Sequence, residues 1–216
     1  MPLESLVYSK NIILCLFIFC LLYCFGDKLE EPSEDYYIRY LFLTTASFPC
    51  SSQNYTSPWS FADPPGDLKA GFLNKPGEGL DYLDLISGNV QDNATNVTFN
   101  LTLGSIPNKI TLSEDVEIIE PEYEWSYLFK GENLLKIGIV SIGGATREIP
   151  FQNLDVLVWR NLNFIGGCGN LNVRDSSVTW SCEKNTIPQL IEIAESKFIS
   201  VEVNARNNGI RYFDCL

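Results

Sequence analysis

The chain has 216 residues, enough for one domain with a sizeable core but too few for two large ones. Apolar residues make up 45% of it, aromatics 12% and charged residues 19%, a composition that excludes a disordered chain. Fifteen Lys plus Arg against 27 Asp plus Glu give a formal charge of -12, which sets nucleic acid aside as a partner, because cationic side chains supply most of that affinity.

In chain order, Lys10 is the first positive charge, and an uncharged apolar run follows from Ile12 to Gly26. Fifteen helical residues rise only about 22 Å against a hydrocarbon core of ~30 Å. Residues 1–26 therefore read as a signal peptide cleaved after Gly26, or as a signal anchor that is kept. Either way the rest of the chain lies outside the cytoplasm, secreted or at the cell surface. Residues 27–35 are acidic, carry Pro32 and read as a linker, and residues 36–216 form the extracellular domain.

Within that domain Tyr36 to Thr45 reads as a first aromatic strand, and Phe48 to Gly79, rich in Pro, Gly, Ser and Asn, as mostly loop. Leu83 to Val90 is the next strand. Asn96 to Leu103 alternates Val97, Phe99, Leu101 and Leu103 with Asn96, Thr98, Asn100 and Thr102, so the first set faces a core and the second faces water. Further strands are expected at Tyr123 to Lys130, Leu134 to Ile142, Val156 to Trp159, Ser177 to Cys182, Phe198 to Ala205 and Ile210 to Cys215. Ile187 to Ser196 alone has helical spacing, with Ile187, Leu190, Ile191 and Ala194 on one face. This pattern predicts an all-β fold, a two-sheet antiparallel sandwich of jelly-roll type with one short helix near the C-terminus.

Seven cysteines divide into Cys15, Cys20 and Cys24 in the apolar run and Cys50, Cys168, Cys182 and Cys215 in the domain. Four in the domain allow three pairings. Cys168 with Cys182, at the two ends of an expected hairpin, leaves Cys50 with Cys215 to join the ends of the domain. Asn54, Asn93, Asn96 and Asn100 each open an Asn-x-Thr sequon for N-glycosylation, and Asn96 and Asn100 fall on the wet face of their strand.

The run Trp59-Ser60-Phe61-Ala62-Asp63-Pro64-Pro65-Gly66-Asp67, then Leu80-Asp81-Tyr82-Leu83-Asp84-Leu85 and the alternating strand, resembles the start of the DOMON-like β-sandwich superfamily that includes family 9 carbohydrate-binding modules. Val178-Thr179-Trp180 and Ile187-Pro188 resemble the strand and turn near the end of such domains, with several extra residues between them here. The resemblance covers about Trp59 to Leu216 and implies a non-catalytic binding module, with calcium near the Asp-Pro loop in some members.

The residues agree with part of that picture. The chain has no His and no Gly-x-Ser-x-Gly, so nucleophilic triads lack support and no enzyme is expected. Asp63 and Asp67 share one Pro/Gly loop and Asp81 and Asp84 start the next strand, so Asp63, Asp67 and Asp84 are candidate oxygen ligands for a structural calcium; the same residues also suit turn caps. Trp59, in a Pro/Ser loop, is the candidate exposed platform for a sugar ring. The expected function is a secreted or membrane-anchored module that binds a glycan or another surface component. The alternative is a structural subunit of a surface layer or filament, self-associating through the strand Tyr36 to Thr45.

Overall fold

The computed structural model describes residues 52–70, 75–76, 80–112, 121–141, 147–207 and 210–215, all within the unit formed by residues 49–216. The export segment, the acidic linker, the strand expected at Tyr36 to Thr45 and Cys50 lie outside these residues. Among the described residues no helix is long and apolar enough to cross a membrane.

The strands are β1 (Gln53–Asn54), β2 (Trp59–Ala62), β3 (Lys69–Ala70), β4 (Lys75–Pro76), β5 (Leu85–Asp92), β6 (Asn96–Leu103), β7 (Lys109–Leu112) and β8 (Tyr123–Lys130), followed by β9 (Leu134–Val140), β10 (Arg147–Pro150), β11 (Asp155–Arg160), β12 (Asn163–Gly167), β13 (Asn172–Arg174), β14 (Ser177–Glu183), β15 (Phe198–Asn207) and β16 (Ile210–Cys215). Sheet A runs β12-β11-β9-β8-β15-β16-β3-β4, with β1 added to β15. Sheet B runs β13-β14-β6-β5-β2, and β7 and β10 form a small ribbon. Every described pairing is antiparallel, as the alternating patterns require.

The core lies between sheets A and B and is built from the alternating sets. Val97, Phe99 and Leu101 of β6 and Val178, Trp180 and Cys182 of β14 meet Tyr123, Trp125, Tyr127 and Phe129 of β8, all 2% exposed or less. Phe99 stacks on Trp180 at 5.2 Å, and Tyr127 lies 5.3 Å from Phe99 and 5.9 Å from Trp180. Tyr127 Oη donates to the carbonyl of Asn100, so its polar end is satisfied under sheet B. Gly88 makes room for it, since a Cβ there would run into Tyr127 Oη and the Phe61 ring. Sheet A also buries part of its other face, where Val140, Leu157 and Trp159 cluster beside the Glu124–Lys136 ion pair of 2.8 Å.

The expected helix is present as a 3-10 helix, Pro188–Glu195. Its period of three explains a difference from the sequence reading. Ile187, Leu190 and Ile193 point inward, at 2%, 0% and 0% exposure, whereas Ile191 is 56% exposed. Cys168 follows β12 of sheet A and Cys182 lies in β14 of sheet B, so the Cys168–Cys182 disulfide fastens the two sheets along one side. Cys215 is also disulfide-bonded.

Candidate functional site: an acidic loop and a polar sheet face

Two regions bring the candidate residues together. The first surrounds the loop after β2. Asp63 N donates to Ile86 O at 2.8 Å, which holds the loop against β5. Gly66, at φ 84°, turns the chain back and aims its N–H between both carboxylate oxygens of Asp84, at 3.0 and 2.9 Å. Asp84 thus engages both oxygens with the loop backbone and fixes the loop's shape.

The ligand set that the structure assembles is different in one member. One carboxylate oxygen each from Asp63, Asp67 and Asp214 lie within 4.8 Å of one another. Oxygens that share a calcium ion at 2.3–2.6 Å can be at most about 5 Å apart, so this separation is compatible with one hard cation. Asp214, in the last strand, is 3% exposed and accepts the Leu85 N–H at 2.6 Å. Burial, and after it the charges of Asp67, Asp63 and Asp84, push its carboxyl up to about 7, against the opposing Leu85 N–H. Asp214 lies too far along the chain from Asp63 and Asp67 for spacing to suggest it. The one usable signal was a carboxylate directly after Tyr212 and Phe213 in the last strand.

Trp59 does not fit its expected role. It is 7% exposed and packs edge-on to Tyr127 at 6.4 Å and beside Phe61 at 5.5 Å. The reason is that Trp59 to Ala62 is a strand paired to β5, not a loop, and period-two alternation turns Trp59 and Phe61 into the core.

The second region is the outer face of sheet B. One row of laterally paired residues crosses all five strands: Asn172, Thr179, Asn100, Asn89 and Ser60. Beside it runs Arg174, Ser177, Thr102, Ser87 and Ala62, and on its other side Ser181, Thr98 and Gln91. Arg174 is the single charge among these positions, in a chain of formal charge -12. Asn100 Nδ2 donates to Ser177 Oγ at 2.8 Å and Thr179 Oγ1 at 2.9 Å, which locks its amide flat against the sheet. At the β13–β14 end the face dips into a polar depression of about 450 Å³ lined by Asn172, Arg174, Asp175, Ser176, Ser177 and Thr179.

No family model, curated protein or solved structure matches the chain. The two regions are therefore read from their chemistry.

Of the four sequon asparagines, Asn54 and Asn93 are exposed, while Asn96 and Asn100 are half-buried on the sheet B face. Asn96 Oδ1 accepts from Asn93 Nδ2 at 3.3 Å.

Proposed function

We propose that the chain is a non-catalytic extracellular module that recognises a neutral glycan through the outer face of sheet B. The observation that carries this reading is the run of hydroxyls and carboxamides across all five strands, with charge only at its margins, Arg174 on β13 and Glu183 on β14. Such groups donate and accept hydrogen bonds as sugar hydroxyls do, and they are desolvated at far lower cost than charges. The depression lined by Asn172, Arg174, Asp175, Ser176, Ser177 and Thr179 gives the face a concave end where a sugar unit can rest. The resemblance to carbohydrate-binding modules supports the same reading, although the aromatic contribution it led us to expect at Trp59 is absent from this face.

The face must be bare to work. Attaching a glycan at Asn100 Nδ2 leaves that nitrogen one N–H, so one of its bonds to Ser177 and Thr179 would be lost. Modification therefore spares Asn100 and falls on the other sequons, Asn54 and Asn93 being the exposed ones. Peptide mass spectrometry of the exported chain checks this, and full occupancy at Asn100 contradicts it.

Retention of the exported chain on cellulose, chitin, mannan and β-glucan, beside heparin and pectin, tests the function. The expected result is retention on at least one neutral polymer and on neither acidic one. Thr179→Glu, which sets a carboxylate beside Asn100, is expected to weaken that retention at least ~10-fold, equivalent to about 1.4 kcal/mol. Retention on no polymer, or retention unaffected by Thr179→Glu, would count against the reading.

A further inference from the structure

Strand β1 places a sequon beside an exposed aromatic ring. It is only two residues long, and it pairs with the start of β15 so that Gln53 is opposite Ile199 and Asn54 is opposite Phe198. Tyr55 N extends the contact by donating to Lys197 O at 3.1 Å. Residues directly opposite each other in an antiparallel pair share a face, with Cβ atoms about 4.5–5.5 Å apart. Ile199 is 0% exposed in the core, so alternation turns its neighbour Phe198, and with it Asn54, to the other face of sheet A.

The sequon Asn54-Tyr55-Thr56 is sorted in the same way. Tyr55 is 7% exposed and meets Phe129 edge-on at 5.2 Å, so the middle residue is the buried one. Asn54 and Thr56, which define the sequon, are both exposed. The other three sequons have a different setting. Asn96 is opposite Glu183, Asn100 lies between Thr179 and Asn89, and Asn93 sits in the β5–β6 turn, so none of them has an aromatic ring as its pairing partner.

Phe198 is 40% exposed. A single surface aromatic needs no cause of its own, but one opposite an exposed sequon Asn gains a defined neighbour once that amide carries a sugar. The first sugar of an N-linked glycan, N-acetylglucosamine, has a ring face lined by C–H groups. Such a face is apolar and weakly positive, and the face of an aromatic ring is weakly negative, so the two attract as both leave water. The two side chains leave the sheet next to each other. Their strand spacing of about 4.8 Å falls in the range at which rings stack.

We propose that Asn54 carries an N-linked glycan whose first N-acetylglucosamine stacks on Phe198, covering that ring and fastening β1 to β15. The transfer forms a bond from Asn54 Nδ2 to C1 of the sugar and breaks the C1–oxygen bond of a glycosyl diphosphate lipid donor. Nδ2 gives up one proton and the lipid diphosphate leaves. The proposal rests on the reading of Asn54 as a modified sequon and is independent of recognition at sheet B, since Asn54 and Phe198 belong to sheet A.

The test uses the full chain exported by a eukaryotic secretory host. Thr56→Ala removes the glycan and keeps Asn54, and urea unfolding compares the native chain, Thr56→Ala, Phe198→Ala and the double variant. Thr56→Ala is expected to raise the unfolding equilibrium constant about 5-fold when Phe198 is present and no more than about 2-fold in the Phe198→Ala background. Trimming the glycan to its first N-acetylglucosamine is expected to keep that coupling. An unmodified Asn54 in peptide mass spectrometry overturns the proposal, and so does an equal effect of Thr56→Ala in both backgrounds. If Phe198→Ala fails to fold, nuclear Overhauser contacts between the Phe198 ring and the first sugar of the native chain decide, their presence supporting the stacking and their absence overturning it. Loss of polysaccharide retention with the coupling intact would count against the sheet B reading alone.

Discussion

Asp214 is the residue whose behaviour should be easiest to read in solution. Its carboxyl is raised from 3.8 to about 7 in the folded chain, so between those values the folded state holds a proton that the unfolded chain has released. The stability that this proton contributes is therefore full below about pH 4 and is lost as pH rises through 7. Without added metal, the melting temperature is expected to drop by roughly 5 °C from pH 5 to pH 8. Asp214→Asn should reduce that drop, and what remains belongs to Glu202, whose burial also pushes its carboxyl up to about 7. If Asp63, Asp67 and Asp214 share calcium, saturating calcium should reduce the drop by the same part and chelator should restore it; thermal melts at several pH values check all three outcomes. Tyr127 and Gly88 give a second residue-scale prediction. Tyr127→Phe leaves the Asn100 carbonyl without its hydroxyl donor and should cost about 1–2 kcal/mol. Gly88→Ala should cost about 1–3 kcal/mol by overpacking. The double variant should cost less than the sum, because Tyr127→Phe removes the hydroxyl oxygen, one of the atoms that the new methyl group of Gly88→Ala would strike; urea denaturation of the four proteins measures the coupling. At this scale the sequence identified Asp63 and Asp67 as neighbours because they share one loop. It could not identify Asp214, which a sheet pairing brings from the far end of the chain.

At the scale of elements, the Asn161–Leu162 turn between β11 and β12 and the disulfide make opposite predictions. Leu162→Gly puts Asn-Gly into a turn whose φ values it prefers and should stabilise the domain by about 0.5–1 kcal/mol, measured as a shift in the urea midpoint. Replacing Cys168 and Cys182 by Ser frees a short loop and a cross-sheet tie and should cost ~2–4 kcal/mol. Strands with strict alternation or dense aromatics were legible from sequence: Asn96 to Leu103, Tyr123 to Lys130 and Ile210 to Cys215 have the expected bounds. Short strands without a local signal were not. Trp59 to Ala62 sits between Pro58 and Pro64, and only its pairing with β5 makes it a strand. Asn163 to Gly167, which ends in two glycines, was not among the expected strands, yet β11 holds it as the outer strand of sheet A. The helix was found, but its register was not. A 3.6-residue period and a 3-residue period agree over Ile187 and Leu190 and part at Ile191, which the tighter helix turns outward.

Across the whole molecule the charge is uneven, and that unevenness underlies the functional account. The outer face of sheet B carries charge only at its margins, Arg174 and Glu183, so the excess of acidic groups lies elsewhere. Composition could reveal the excess but not its distribution, since distribution depends on which residues share a face. The all-β sandwich was legible because period two dominates the chain. The polar rows were half-legible: Thr98, Asn100 and Thr102 were visible on one strand, while their neighbours on β14, β5, β13 and β2 became a surface only through sheet register. The most direct measurement of the central claim is a nitrogen-15 NMR titration of the domain with neutral oligosaccharides, following the side-chain amides. The account predicts that the Asn100, Asn172 and Asn89 amide signals move together and saturate while the buried Trp125 and Trp180 indole signals stay in place. Saturable shifts confined to another surface, or no shift with any neutral sugar, would contradict it.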